Sequence, residues 1–364
     1  MKYHELVDYT KLDPVKKAAV KKFTPHLNGI NRLGMRIIPE TLGESAIAIE
    51  LDDVPDYYIV FNVEGLGTKN LIADAMYKDS RGGKLSYFEN LGKDTVAMST
   101  NDLSSIGADP FVYGDIISTC NCDWVEDKDE KASALLEGFR RASEEIGMAI
   151  PCGETPSLTG IIIPKTLDMA GASVGIIKPK KNLTYGQNLV AGDKIYGLAS
   201  SGVHSNGISL IRKTLESLPE GYFTKLPSGK IIGEEVLVPT TLYSRVLVDI
   251  LNATEVHYMQ PITGHGWKKI MRNKKKLAYE IDFVPQPSEV FKFLQEKSNL
   301  PDEEAYYTWN MGLGYVIMAP KESGEAILRV AKEHNIEAWE IGTVVDGEKQ
   351  VNIKPKGIIF KDNQ

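Results

Sequence analysis

The sequence predicts a mixed α/β protein built from two domains. Its 364 residues exceed the usual length of a single core, and length alone favours about two domains. Short apolar runs alternate with segments of helical periodicity along the whole chain. A polar stretch rich in Lys, Asn and Gly at residues 178–193 interrupts this alternation. We therefore place the boundary near residue 180, with domains at 1–180 and 181–364.

The first half alternates strand and helix signals. Apolar residues at every second position predict strands, whereas spacings of three and four predict helices. The predicted strands are 46–51, 58–63, 110–120, 148–152 and 166–177, and the predicted helices are 68–77, 88–105 and 127–146. Gly107 ends the helix at 88–105, which carries Asp94, Asn101 and Asp102 along one edge. The strand at 148–152 is expected to be buried.

The second half repeats the alternation. Its predicted strands lie near 195, around 256 and at 277–283, 312–320 and 336–342, and its predicted helices are 206–218, 239–252, 266–272, 287–297 and 322–334. The dipeptide Asp346-Gly347 is typical of a tight turn and predicts a hairpin between the final short strands. Both halves are therefore expected to be mixed α/β units.

The charge and hydropathy of the chain argue against two classes of binding surface. A net charge of −7 and an isoelectric point near 5.6 do not favour nucleic acid, because phosphate backbones require a clustered positive field. The one basic run, 268–276, is interpreted as a solvated helix end and turn. The N-terminus lacks a signal-peptide core, and no later segment approaches ~18 consecutive apolar residues. We expect a cytoplasmic protein without membrane association.

The three cysteines, Cys120, Cys122 and Cys152, cannot form a fully paired disulfide framework. The Cys-x-Cys pair also lacks the usual spacing of a zinc site. We expect reduced thiols. For Cys152, packing as a buried small residue is favoured over a nucleophilic role.

The segment Ser200–Arg212, SSGVHSNGISLIR, joins a predicted strand to a predicted helix and concentrates polar groups. Ser205 or Asn206 is expected to cap the helix, and the first-turn amides would then face an anion such as phosphate. His204 lies beside these amides. Taken alone, the segment also fits an ordinary βα turn with a solvent-exposed histidine.

Four carboxylates accompany glycine-bearing loops or the helix edge: Glu64, Asp94, Asp102 and Glu154. Their oxygen atoms suit Mg²⁺, which also bridges nucleotide phosphates, and Lys69 is expected to contact the same phosphates. Taken singly, each carboxylate fits surface solvation or helix capping better. The chain has neither a Walker A spacing nor a Gly-x-Gly-x-x-Gly after a strand. Together the carboxylates predict a phosphate and metal site of another kind.

Two further glycine turns, 263–266 and 310–314, lie in the second half. Glycine allows the backbone to approach a ligand closely, so these turns are candidate ligand contacts. For His265, which lies in the first of them, a packed or capping role is favoured over catalysis.

Seven segments, read in order, resemble the phosphoribosylformylglycinamidine cyclo-ligase family, also called aminoimidazole ribonucleotide synthetase. EGLGTK at 64–69 is similar to the family's DGVGTK, CGETPS at 152–157 to GGETAE, and SSGVHSNGISLIR to SSGPHSNGYSLIR. The segment 93–110 is similar to the family's helix with an Asn-Asp pair. DMAGASVG, PITGHG and TWNMGLG are similar to DLAGFAVG, HITGGG and TFNMGVG. The resemblance covers nearly the whole chain.

This resemblance implies a two-domain fold whose N-terminal domains form a dimer barrel and whose C-terminal domain has a mixed sheet. It implies a homodimer that uses ATP and Mg²⁺ in de novo purine biosynthesis. ATP would phosphorylate the amide oxygen of formylglycinamidine ribonucleotide, and the amidine nitrogen would then close the imidazole ring. Metal, lysine and loop amides would stabilise the phosphates.

The resemblance also implies roles for individual residues. The groups nearest ring closure, and hence the candidate catalytic residues, are His204 and Asn206. The implied ATP and phosphate contacts are Gly65, Gly67, Thr68, Lys69, Asn101, Asp102, Gly153, Glu154 and Thr155. The implied substrate contacts are Ser200, Ser201, Gly202, Ser205 and Gly207. The implied metal ligands are Glu64, Asp94, Asp102 and Glu154.

Several positions depart from the family pattern. Glu64 stands where the family usually has aspartate, Ser157 where it has glutamate, and His265 where it has glycine. The segment 33–45, LGMRIIPETLGES, is poorer in glycine than the family's loop that closes over ATP, which predicts a stiffer or differently shaped lid. The alternatives are a divergent ATP-dependent ligase or kinase of the same fold with another small substrate, and a non-catalytic ligand-binding protein.

Overall fold

The computed structural model describes residues 9–79, 81–121, 124–126 and 130–362. The start of the helix predicted at 127–146 and the predicted thiol of Cys122 lie outside the described residues. The described part of that helix begins at Lys131.

The first half contains the strands and helices expected from its periodicity, with small shifts at their ends. Its strands are β1 (Met35–Ile37), β2 (Ile47–Leu51), β3 (Tyr58–Gly65), β4 (Asp109–Thr119), β5 (Ala149–Glu154) and β6 (Leu167–Ile177). Its helices are α1 (Tyr9–Phe23), α2 (Lys69–Lys78), α3 (Ser86–Ser104) and α4 (Lys131–Ile146). The sequence predicts neither α1, which contains Pro14, nor β1, which is only three residues long.

The second half continues the alternation. Its strands are β7 (Lys194–Ala199), β8 (Tyr258–Pro261), β9 (Leu277–Ile281), β10 (Leu313–Ala319), β11 (Ala338–Asp346), β12 (Gln350–Ile353) and β13 (Ile358–Lys361). Its helices are α5 (Ile208–Glu216), α6 (Ile232–Val236), α7 (Ser244–Ala253), α8 (Glu289–Ser298), α9 (Asp302–Thr308) and α10 (Gly324–Glu333). None of the described helices has both the length and the apolar composition of a membrane-crossing segment.

Within the described residues the strands form two sheets, with the orders β1-β2-β3-β6-β4-β5 and β13-β12-β9-β11-β7-β10-β8. The pairs β4–β5 and β9–β12 are parallel, and the other pairs are antiparallel. The mixed α/β class predicted from the sequence is confirmed. Strands before and after residue 180 belong to different sheets.

Helices α3 and α4 cross at two glycines that allow their backbones to touch. A Cβ atom at Gly92 would collide with the Leu135 carbonyl oxygen, and one at Gly138 would collide with the Glu89 carbonyl oxygen. Helix α3 in turn packs on β3 and β6. The close crossing therefore holds α3 firmly against the first sheet.

Two strand predictions are wrong. Strand β5 is not buried: it lies at the edge of its sheet, and Cys152 within it is exposed. A short apolar run does not reveal whether a strand is central or at an edge. Asp346-Gly347 does not close a hairpin, because β9 lies between β11 and β12, and β12 pairs instead with β13. Local turn chemistry cannot show that a distant strand intervenes.

One side of α3 faces the second domain. The Asn101 side chain accepts a hydrogen bond from the Tyr243 N–H (2.9 Å) and donates one to the Thr241 carbonyl oxygen (2.8 Å). Asp94 Oδ1 accepts hydrogen bonds from the Thr240 N–H (2.8 Å) and hydroxyl (2.6 Å). The predicted polar edge of this helix is therefore present, and it joins the domains.

A buried ion pair lies at the centre of this contact. The Lys69 ammonium is 2.7 Å from Asp94 Oδ2, and both side chains are fully buried. Lys69 also donates a hydrogen bond to the Val238 carbonyl oxygen (3.0 Å), and Ser205 Oγ donates one to Asp94 (3.1 Å). The pair therefore connects α2 and α3 with two segments of the second domain.

We predict that Lys69→Met lowers the free energy of unfolding by about 3–5 kcal/mol, because Asp94 would stay buried without its cation. Urea unfolding measures the change. Arg329→Ala, which removes an exposed helical ion pair with Glu333, is the control and should leave the stability nearly unchanged. Equal effects of the two substitutions would contradict the importance of the buried pair.

Candidate active site

A cleft of about 770 Å³ lies between the two domains. One wall consists of the β3–α2 loop, residues 64–67, and Asp102 of α3. The other consists of Ser205, Asn206 and the turn 263–265. Loops predicted from the sequence to bind ligand therefore meet in one space, although they lie far apart in the chain.

A basic strip lines the same cleft. Lys268, Lys269 and Arg272 belong to or follow the 3₁₀ helix at 266–271, and all three border the cleft. The interpretation of this run as a solvated helix end is wrong for Lys269, which is buried beside Asp102, whereas Arg272 is exposed as that interpretation expects. The signal that could have revealed them is their position directly after a predicted ligand turn.

Hydrogen bonds with Asn310 stabilise the loop between β7 and α5. Ser200 Oγ donates a hydrogen bond to Asn310 Oδ1 (3.0 Å), and Asn310 Nδ2 donates one to the Gly202 carbonyl oxygen (2.9 Å). Ser201 Oγ donates to the Pro239 carbonyl oxygen (2.6 Å). Because Asn310 belongs to the glycine turn 310–314, two predicted ligand segments support each other.

This loop separates two clefts, so the predicted substrate contacts are divided. Ser205 borders the interdomain cleft, whereas Ser200 and Ser201 border a second cleft of about 640 Å³ together with Arg245 and His334. The two glycines predicted to contact substrate, Gly202 and Gly207, border neither cleft. The structure therefore does not bring all five residues to one ligand.

Helix α5 begins differently from the prediction. Its N-cap is Gly207, with φ +70°, and neither Ser205 nor Asn206 caps it. Ser205 is unavailable because its hydroxyl is bonded to Asp94, and a Cβ at position 207 would collide with the Trp309 indole. Asn206 borders the interdomain cleft, and its buried Nδ2 has no hydrogen-bond acceptor among the described residues. That amide therefore has an unsatisfied donor in a residue that borders the cleft.

His204 is buried, with 3% of its surface exposed, so the solvent-exposed histidine of the simple turn reading is wrong. Its Nε2 accepts a hydrogen bond from the Ser201 N–H (3.3 Å), and its ring lies edge-on to Tyr243. Burial, with a smaller effect of the Lys69 charge, lowers the pKa of His204 to about 3. The imidazole is therefore neutral near pH 7, and its contacts favour positioning the loop over proton transfer.

The four predicted metal ligands do not come together. Glu64 and Asp102 border the interdomain cleft, but Asp94 is buried against Lys69 and Glu154 is exposed on the edge strand β5. Among the described residues, no group of three or more His, Cys, Asp or Glu side chains is arranged to hold a metal ion. Of the four residues predicted as metal ligands, the two that remain at the cleft are therefore Glu64 and Asp102.

The predicted nucleotide contacts are divided in the same way. Those that border the interdomain cleft are Gly65, Gly67 and Asp102. Lys69 and Asn101 are occupied by the domain contact, and Thr68 begins α2 with a buried hydroxyl that has no partner among the described residues. The remaining three, on or beside the exposed edge strand, are Gly153, Glu154 and Thr155.

The segment 33–45, expected as a lid, is docked on the second domain. The Arg272 guanidinium donates hydrogen bonds to the carbonyl oxygens of Gly43 (2.9 Å) and Glu44 (3.2 Å). The buried Glu44 carboxylate accepts a hydrogen bond from the Tyr258 hydroxyl (3.1 Å), and burial raises its pKa. The segment also contains β1, which pairs with β2. The segment is therefore held against the second domain through its backbone and through the buried Glu44 side chain.

His265 borders the cleft near α1. Its backbone has φ +70° at the start of the 3₁₀ helix, and its ring lies edge-on to Tyr307. Its Nε2 is 3.6 Å from Asp13 Oδ2. These contacts agree with the packed role favoured from the sequence.

Comparison with family models places both domains. Residues 39–177 match the AIR synthase related protein, N-terminal domain, and residues 190–354 match the AIR synthase related protein, C-terminal domain. The chain belongs to the AIR synthase related family. The resemblance noted in the sequence is thereby confirmed.

The chain has relatives at 34–35% sequence identity and also resembles a solved structure of much lower identity. Phosphoribosylformylglycinamidine cyclo-ligase of Methanocaldococcus jannaschii is 34% identical over 344 residues, which cover 93% of this chain and 91% of the relative. The protein of the same name from Methanococcus maripaludis strain S2 is 35% identical, over 84% of this chain and 82% of the relative. The structure of AaThiL complexed with AMPPCP and TMP has a TM-score of 0.61 at 16% identity, covering 100% of this chain and 97% of that one. This last similarity shows the shared fold.

We predict that His204→Gln reduces the loss of stability in acid. In the wild type, the unfolded chain binds a proton near pH 6.5, whereas folded His204 binds one only near pH 3. Stability contributed by the neutral ring is therefore present above pH 6.5 and lost as pH falls, by at most about 1.4 kcal/mol per unit.

The free energy of unfolding of both proteins is measured in urea between pH 4 and 7, in steps of roughly one pH unit. The free energy of unfolding should fall less steeply with acid in the variant. Identical slopes, or a ring that titrates near neutrality in NMR spectra, would contradict the buried neutral histidine.

Proposed function

We propose that this chain is an ATP-dependent cyclo-ligase that converts formylglycinamidine ribonucleotide into aminoimidazole ribonucleotide. The observation that carries the proposal is the interdomain cleft, where the loop 64–67, the free amide of Asn206 and the basic strip border one space. Cations and backbone amides are the groups that recognise phosphate. The names of the relatives support the substrate, and AMPPCP, an ATP analogue, on AaThiL supports nucleotide use.

The proposed reaction turns the substrate's amide oxygen into a leaving group. That oxygen attacks the γ-phosphorus of ATP as the bond to ADP breaks and the amide nitrogen loses its proton to solvent, giving an iminophosphate and ADP. The amidine nitrogen then attacks the carbon that bears the oxygen, and loses a proton. The carbon–oxygen bond breaks, the ring closes, and inorganic phosphate leaves with the former amide oxygen.

The residues of the cleft supply electrostatic stabilisation rather than a nucleophile. Lys268, Lys269 and Arg272 oppose the negative charge that phosphates bring into the cleft. Asn206 Nδ2 donates a hydrogen bond to the bound substrate from the same wall of the cleft as Ser205. A preorganised set of donors suits a reaction that consists of phosphoryl transfer and intramolecular attack.

Two residues predicted to touch the ligand are assigned positioning roles. His204 holds the loop through the Ser201 N–H, and Lys69 holds the same region through Asp94 and Ser205. Both act by fixing where Asn206 lies. Small displacements of such groups reduce rates strongly, because reacting atoms must be aligned.

In the proposed reaction, Mg²⁺ binds only together with ATP. The described carboxylates do not form a group of three or more around one point. In this proposal Mg²⁺ enters with the nucleotide phosphates as part of the substrate. No protein ligand is assigned to it.

We predict that Asn206→Ala lowers kcat/KM for ring closure by about 100-fold, as expected for loss of one preorganised donor. ADP and inorganic phosphate release in the presence of formylglycinamidine ribonucleotide measure the rate. Asn252→Ala, at an exposed position of α7, is the matched control and should behave as wild type. A wild type that binds ATP without releasing ADP when this substrate is added would exclude the proposed activity and favour another substrate or a binding role.

We also propose that two copies associate through the uncovered face of the first sheet. Phe61 and Val63 of β3 are 43% and 58% exposed, and Ile116 of β4 is 45% exposed. Phe61 is paired across the strands with Val174 of β6, which continues the apolar surface. Contiguous apolar surface of this kind is typical of a protein interface. A second copy of the same sheet offers a matching surface, as a two-fold dimer requires.

The expected effect of Phe61→Asp is dissociation into monomers, since a charge would be buried at the interface. Sedimentation equilibrium measures the mass directly. Phe283→Asp replaces a phenylalanine that is also 43% exposed, in the second domain, and should leave the association unchanged. A wild-type monomer at high concentration, or equal effects of both substitutions, would contradict the dimer.

A further inference from the structure

The ammonium of Lys269 lies between the carboxylates that the sequence offers to a metal. Its Nζ is 3.3 Å from Asp102 Oδ1 and donates a hydrogen bond to Thr263 Oγ1 (2.6 Å). Glu64 lies close enough to interact with the same charge. Asp102, Glu64 and Lys269 all border the interdomain cleft. The cleft therefore contains a fixed cation of its own.

Lys269 is far more buried than an ordinary surface lysine. Only 7% of the Lys269 side chain and 10% of the Asp102 side chain are exposed. An ammonium group has three donors, and Lys269 directs two of them at Asp102 and Thr263. The third donor has no acceptor among the described residues. Because Lys269 borders the cleft, this donor is available to a ligand there.

A divalent ion held by Glu64 and Asp102 would have to share its ligands with this ammonium. Lys269 already satisfies Asp102, and a doubly charged ion beside it would be repelled. Arg272, which also lies against the cleft, adds a like charge. The ammonium of Lys269 therefore occupies the position in which a divalent ion would contact Asp102.

We propose that Lys269 is the resident cation of the cleft, excluding a protein-held metal from Glu64 and Asp102 and donating a hydrogen bond to a phosphate of the bound nucleotide. The inference rests on the proposed function for the identity of the ligand. It adds a phosphate-binding residue and a metal-exclusion role that the carboxylate pattern of the sequence does not predict.

The first experiment is a titration of the wild-type protein with Mn²⁺ alone, followed by the EPR signal of free Mn²⁺. Wild type should show no site tighter than about millimolar, because the ammonium occupies the carboxylates. A wild-type site in the micromolar range would overturn the proposal. This measurement needs no variant and no turnover.

The second experiment removes the cation. Lys269→Ala should gain a Mn²⁺ site at least about 10-fold tighter than any in wild type, and Lys269→Ala with Asp102→Asn should lose it again. AMPPCP measured without divalent metal should bind Lys269→Ala about 10-fold more weakly, consistent with loss of one charged hydrogen bond. Lys269→Arg, which keeps the charge, should bind AMPPCP within about 2-fold of wild type.

Lys276→Ala is the matched control, since Lys276 is exposed in the same basic run. It should change neither Mn²⁺ nor AMPPCP binding. Unchanged AMPPCP affinity in a folded Lys269→Ala, or no gain of Mn²⁺ binding, would contradict the proposal. Neither titration contains formylglycinamidine ribonucleotide. If the protein does not catalyse ring closure, the proposed function is wrong, but the two titrations still test the role of Lys269.

Discussion

The buried contact between Lys69 and Asp94 is the interaction on which the arrangement of the two domains depends. A fully buried lysine is tolerated only with its charge paired, and here the carboxylate also accepts hydrogen bonds from Thr240 and Ser205 of the second domain. Since Ser205 belongs to the loop before α5, the same contact that joins the domains also positions Asn206. Stability and site geometry are therefore carried by one set of bonds.

The charge of the cleft also depends on which carboxylates are paired with buried lysines. Asp94 is withdrawn from the cleft by Lys69, and Asp102 is compensated by Lys269. The cleft then presents Lys268, Lys269 and Arg272 and the amide of Asn206 beside the carboxylates Glu64 and Asp102, and the cations suit phosphate groups. The segment 33–45, docked by Arg272, closes one side of this arrangement.

Much of the fold could be predicted from the sequence, because its signals are local. Apolar periodicity located most strands and most helices, and it placed Asp94, Asn101 and Asp102 on one edge of a helix. What that edge contacts could not be predicted, since a carboxylate that pairs with a buried lysine and one that binds a metal have the same sequence. The edge position of β5 and the strand between β11 and β12 likewise depend on distant parts of the chain.

The site shows the same limit. The glycine loops at 64–67 and 263–266 were predicted, but Lys268, Lys269 and Arg272 were interpreted as solvated, because an isolated basic run usually is. The position of His204 was predicted without its burial, which decides its protonation. The family assignment identifies which loops belong together, and the contacts decide what each side chain does there.

We expect nucleotide to bind in the interdomain cleft rather than in the neighbouring cleft beside Arg245 and His334. A crystal structure of the complex with AMPPCP would distinguish the two clefts. Phosphate oxygens should lie within hydrogen-bond distance of Lys269, with the Lys69–Asp94 pair intact. A nucleotide bound in the second cleft, or phosphates held by Lys69 after its separation from Asp94, would contradict this expectation.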